Sequence, residues 1–242
     1  MSGHSKWANI KRTKGKNDAM RAKVTTKISK EITIAARMGG GNPVGNMRLK
    51  LALTKARQNN VPKDIIKRAI DKGVGASTGA GFDEVIYEGY GPGGAAIIAE
   101  CNTDNRNRMA ADIRHAFNHN GGSLGATGSV GWMFKRKGTI IIDKEKAEED
   151  NVMLIALEAG AEDVITEGDT FQVITSPEDF LTVSEAIENE NIPVEASEVA
   201  MIPDTTVNLE GDQAETMSRL IAELEEMDDV QEVYHNAELP EE

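Results

Sequence analysis

A single cysteine among 242 residues excludes an internal disulfide framework and any zinc site built on several thiolates. Cys101, set between IIAE and NTD, reads as a buried strand residue rather than a reactive thiol. Long apolar runs are missing, so no segment is suited to span a bilayer. The opening GHSKWANIKRTKGK lacks the hydrophobic stretch of a secretory signal. Aromatic residues make up only 4% of the chain, yet 39% hydrophobic content supports ordinary globular cores. These absences place the chain in a reducing, cytoplasmic setting, with no membrane partner expected. Acidic residues are scarce in one region alone. Residues 1–75 hold 18 Lys and Arg against 4 Asp and Glu, and residues 138–242 hold 3 against 30. The stretch 76–137 balances at 6 against 6, so the overall net charge of −13 describes no part of the molecule. Clustered cations are what phosphate neutralisation requires, and the acidic remainder repels phosphate. The pattern therefore predicts a cationic head that meets a polyanion, held apart from an anionic body.

Residues 1–16 carry Lys6, Lys11, Arg12, Lys14 and Lys16 with little but Trp7 and Ile10 to bury, which reads as an extended arm. Asn17 or Asp18 caps a helix to about Met38, with Met20, Val24, Ile28, Ile32 and Ala35 along one stripe. Lys23, Lys30 and Arg37 recur at seven-residue spacing on the opposite side, with Lys27 at their edge. A second helix spans about Val44–Asn59, turning in either Leu49, Leu53 and Ala56 or Met47 and Leu51. Pro62 opens a third helix that ends near Gly73. Next, 76–82 reads as a linker, and the period becomes strand-like through VIYEGYG and AAIIAECNT. A helix over 107–118 follows. Residues 135–204 spell βαββαβ, the ferredoxin-like order. The final helix and strand, AETMSRLIAELEEM and VQEVYHN, have no sheet of their own to join. They are expected to return to residues 76–134 and complete a discontinuous domain there. The fold class is thus α+β: a three-helix basic domain (1–75), then two α/β domains. The ferredoxin-like one (135–204) is inserted into the other (76–134 with 205–242).

Catalytic signals are weak. GYGPGG matches the G-x-G-x-x-G spelling but leads into a strand rather than a helix, so it reads as a hairpin turn. No Walker pattern or nucleophile elbow occurs. His115 and His119 lie four apart, but Ala116 stands where a zinc protease carries its glutamate, and no third ligand is visible. Arg106, Arg108, Arg114 and the KRK at 135–137 add cations outside the basic block, while Asn105 and its neighbours suit a helix entry. No enzyme, cofactor, metal site or small-molecule substrate is expected, and the oligomeric state is left open. The candidate nucleic-acid-binding residues are Lys6, Trp7, Lys11, Arg12, Lys14, Lys16, Arg21, Lys23, Lys27, Lys30, Lys63, Lys67 and Arg68.

GHSKWANIKR, NNVPKDIIKRAIDKGVG, YEGYGPGGAAIIAEC, TDNRNR, RHAF, EAGAEDV and DDVQEVYHN together resemble the YebC family, bacterial counterparts of the mitochondrial translational activator of cytochrome oxidase. The likeness implies a basic helical domain followed by two α/β domains, the middle one built from separated segments. It implies a DNA-binding transcriptional regulator, or alternatively a ribosome-associated factor that binds rRNA and eases synthesis of proline-rich peptides. It brings no catalytic residues. For the first reading, helices two and three suit a helix-turn-helix with Lys63, Lys67 and Arg68 in the groove. Lysine favours phosphate over base edges, so sequence specificity is expected to be modest. For the second, the lysine- and glycine-rich arm resembles segments that order on folded RNA.

Overall fold

The computed structural model describes residues 18–75 and 81–240, with side chains from Arg21 onward. Three helices come first: α1 (Asp18–Gly39), α2 (Met47–Gln58) and α3 (Lys63–Gly75). The expected stripe does form their core, since Ile28, Ile32 and Ala35 of α1 bury against Leu49, Ala52 and Ala56 of α2 and Ala69 of α3. Of the two faces open to α2, the Leu49 face is the one turned inward. Met47 is exposed, and Leu51 packs instead against the ferredoxin-like core. Asn46 caps α2 by accepting from the Leu49 N–H, while its own amide donates to the Ala35 and Gly40 carbonyls, tying α2 to the end of α1. Helices α1 and α3 cross closely at Gly73: a Cβ there would lie 2.5 Å from the Thr33 carbonyl oxygen and 2.7 Å from the Ala36 Cβ.

Strands β1 (Asp83–Tyr90) and β2 (Ala96–Thr103) form an antiparallel hairpin. Its turn is the GYGPGG string, with Gly93 and Gly94 at φ 67° and 78°, where side chains are disfavoured. Helix α4 (Arg106–His119) follows, capped by Asn105, and β3 (Ser123–Leu124) adds to the β1 edge. The chain then builds β4 (Phe134–Asp143), α5 (Glu149–Glu158), β5 (Asp163–Glu167), β6 (Thr170–Thr175), α6 (Phe180–Asn189) and β7 (Val194–Pro203). Their sheet order β5-β6-β4-β7 is the ferredoxin-like arrangement. Ile140, Ile142, Phe171, Val173, Phe180 and Ile187 fill its core. After β8 (Val207–Asn208) and α7 (Gly211–Glu226), strand β9 (Val230–His235) pairs antiparallel with β2, giving the order β3-β1-β2-β9, and β10 (Ala237–Glu238) pairs with β8. Helices α4 and α7 cover one face of that sheet around Ile97, Ile113, Phe117, Met217 and Leu220. Cys101 lies 2% exposed in the same core, and burial pushes its thiol up to about 12.

The other face of this sheet meets both neighbours. Ala96 and Ile98 pack with Val130, Phe134 and the partly buried Met201 of β7. A loop over 125–133 is fastened beneath it by Glu88 of β1. The buried Glu88 carboxylate accepts hydrogen bonds from the Gly128, Val130 and Gly131 N–H groups at 2.8, 2.8 and 2.6 Å. Burial opposes that charge, but the three backbone donors outweigh it and hold the carboxyl below its ordinary range. The loop presents Trp132, 72% exposed, with its indole N–H donated to the Ser129 carbonyl.

Candidate nucleic-acid interface

The head is not held apart from the body, and that expectation is corrected by its contacts. Three lysines of α1 reach the C-terminal end of α7, where unpaired helix carbonyls carry partial negative charge. Lys23 donates to the Glu226 carbonyl at 2.9 Å and Lys27 to the Glu225 carbonyl at 2.8 Å. Lys30 bonds the Asp229 carboxylate at 2.9 Å and the Asp228 and Asn102 carbonyls at 3.2 and 3.3 Å. Asp229 also accepts from Thr103 and Arg108. Burial works against its charge, yet the hydrogen bonds from Lys30, Thr103 and Arg108 keep its carboxyl below the usual aspartate range. Lys27 shows the opposite balance. Burial lowers its pKa despite Glu232 and Glu225 nearby.

Helix α2 is joined to the body in the same way. Lys55 pairs with Glu232 of β9 and, at 3.8 Å, with Glu31. Arg48 bonds Glu84 of β1, Lys50 lies 3.1 Å from Glu185 of α6, and the Gln58 amide donates to the Ser197 hydroxyl of β7 at 2.6 Å. The sequence stripe of Lys23, Lys27 and Lys30 is therefore a docking surface within this chain. Nothing in the local sequence foretells it, because the acceptors lie about 200 positions away.

Arg57 is exposed near the end of α2, and the largest group of exposed cations in the described head lies on the outer face of α3. Lys63, Lys67, Arg68 and Lys72 are all exposed there. At 100° per residue Lys63 and Lys67 occupy one edge and Arg68 and Lys72 the other, with Asp64 and Asp71 between them. Arg68 pairs with Asp64 one turn back, both largely exposed, an arrangement worth little in water. Lys72, which the sequence reading passed over, joins this set; its spacing from Arg68 was the available signal. Arg21 is exposed near the start of α1. The candidates Lys6, Trp7, Lys11, Arg12, Lys14 and Lys16 lie outside the described residues.

Most of the cations singled out beyond the head lie in ion pairs, Arg106 with Asp83, Arg108 with Asp104 and Asp229, Lys135 with Asp204, Arg136 with Glu100, and Lys137 with Glu162, while Arg114 is exposed on α4. His115 and His119 stack with ring centroids 5.7 Å apart on exposed helix surface. No group of three or more His, Cys, Asp or Glu is placed to hold a metal among the described residues, and no described helix is long and apolar enough to cross a membrane.

Residues 5–76 match the N-terminal domain of the TACO1/YebC protein family, and residues 82–237 match its second and third domain. The chain belongs to the TACO1/YebC family. Similar family members include a protein of Pelotomaculum thermopropionicum described as a probable transcriptional regulatory protein, 55% identical over 99% of both chains. Another of the same description, from Clostridium tetani, is 51% identical over 100% of this chain and 99% of its own. A crystal structure of a conserved hypothetical protein from Aquifex aeolicus superimposes with a TM-score of 0.81 at 42% identity, covering 93% of each chain. The TACO1/YebC fold thus shared is a helical head followed by two sheet-and-helix bodies.

Proposed function

We propose that this protein is a non-enzymatic regulator of gene expression that binds nucleic acid through phosphate-directed contacts, with DNA as its target. The observation that carries the reading is the α3 surface, where four cations are exposed on one helix, while Lys23, Lys27, Lys30, Arg48, Lys50 and Lys55 of the head are drawn against the body. Two rows of cations along the edges of one helix suit the two phosphate rails of a groove, and lysine there positions rather than reads. The arm's Lys6, Lys11, Arg12, Lys14 and Lys16 add charge on the same side of the sequence. The description of TACO1/YebC relatives as probable transcriptional regulatory proteins supports the same direction.

The test is binding to promoter and random duplexes across a salt series. The logarithm of affinity should fall against that of salt with a slope near −5 for about six phosphate contacts. Each of Lys63→Gln, Lys67→Gln and Lys72→Gln should flatten it by roughly one unit, uniformly across sequences. Removal of residues 1–16 should weaken binding while leaving the melting transition in place. A flat salt dependence, or unchanged affinity in the triple variant, would defeat the proposal.

A further inference from the structure

Between α1 and α3 lies an open groove of about 440 Å³, whose lining includes Ser29, Lys30, Ile65, Arg68, Lys72 and Phe82. Its floor is formed where the helices touch: the Thr33 hydroxyl donates to the Ala69 carbonyl at 3.2 Å, and half-buried Ile65 offers apolar surface. Arg68 and Lys72 stand one turn apart on the α3 rim. Ser29 and Lys30 stand on the α1 side. Phe82, just before β1, forms part of the wall, with the Lys30 ammonium 4.7 Å from its ring centroid. The same lysine bonds Asp229, in the contact that docks the head.

This lining mixes two chemistries. Cations at the rim suit a phosphodiester, while an aromatic ring over an apolar floor suits a flat, poorly hydrated ring. The volume lies in the range of small-ligand sites. A bare anion leaves Phe82 and Ile65 uncovered. A duplex keeps its bases stacked inside and cannot present one to a groove between two helices. An unpaired nucleotide satisfies both halves, because stacking on aromatic side chains and cationic tracking of the backbone are how single strands are held.

We propose that this groove receives one unpaired nucleotide of a single-stranded polynucleotide, its base against Phe82 and Ile65 and its phosphate on Arg68 and Lys72. The proposal rests on the nucleic-acid reading above and narrows it to strand form. RNA and single-stranded DNA share this chemistry, and separate probes tell them apart.

The experiment measures fluorescence anisotropy of the full chain with three labelled probes of one mixed sequence: a 12-nucleotide RNA, the matching single-stranded DNA and the DNA duplex. At least one single strand should bind about tenfold or more tightly than the duplex, and whichever does identifies the source. Phe82→Leu should weaken single-strand binding by roughly 5- to 150-fold, the span of one lost base stack, and leave the duplex unchanged. Phe82→Tyr should restore it. The double variant Arg68→Gln, Lys72→Gln should weaken all three probes. Thermal melting of each variant separates loss of binding from loss of fold. Duplex binding equal to or tighter than both single strands overturns the proposal while sparing the nucleic-acid reading, as does full single-strand affinity in a folded Phe82→Leu protein. Absence of binding to every probe at low salt overturns both.

Discussion

Glu88 shows how one side chain can fix a surface that its neighbours in sequence do not announce. Its carboxylate gathers three backbone N–H groups from a glycine-rich loop 40 positions later, so the indole of Trp132 projects from a rigid support. Glu88→Gln keeps the shape but offers one acceptor oxygen where two served. The loop should lose on the order of 2 kcal/mol, the value of a charge-assisted bond plus an unpaired donor, read as a lower denaturant midpoint. Because the folded carboxyl sits below its ordinary value, this contribution is complete above the unfolded pKa and disappears as pH falls through the depressed one. In a Trp7→Phe background, the fluorescence of Trp132 should therefore hold steady down to about pH 4.5 and change only in stronger acid. The sequence reading gave the GATGS string at 125–129 no element and no role. It had no means of pairing the string with Glu88, since alternation along β1 gives the face of a residue but not its distant partner.

Helix α1 is the element where pattern and structure part. One stripe, Ile28, Ile32 and Ala35, obeys the 3.6-residue period and buries as expected. The reverse side looked solvated because it is rich in lysine, yet Ile34 is also buried there, and Lys23 and Lys27 end on the carbonyls of α7. A hydrophobic period detects apolar contacts; it is blind to a cation that caps another helix. The βαββαβ block was legible for the converse reason, since its strands alternate and its helices are bounded by turn residues nearby. Phe82 was hidden at the end of a glycine-rich stretch that reads as linker. Asp229 is the fastening point of α1, so Asp229→Asn should loosen the helix without unfolding the bodies. Trypsin should then cut at Lys23, Lys27 and Lys30 several-fold faster, while the sheet cores keep their hydrogen-exchange protection. Below the ordinary aspartate range the native protein should behave similarly, because protonation of Asp229 removes the charge that Lys30 and Arg108 share.

Across the whole molecule the chain closes on itself, with β9 added to β2 after an excursion of more than 120 residues. The return was inferable from an orphan helix and strand at one end and an unfinished sheet near the middle. Its consequence for the head was not. Fragment 134–203 has its own sheet and core and should fold alone, giving a cooperative thermal transition by circular dichroism. A chain ending at residue 204 should keep that body but lose the β2 edge partner and the α7 side of the adjoining core, and so expose hydrophobic surface to dye. Synthesis proceeds from the head, so α7 and β9 leave the ribosome about 200 residues after α1. A nascent chain accordingly carries Lys23, Lys27 and Lys30 without these acceptors until the stretch from Glu225 to Asp229 has been made and α7 has folded against the head.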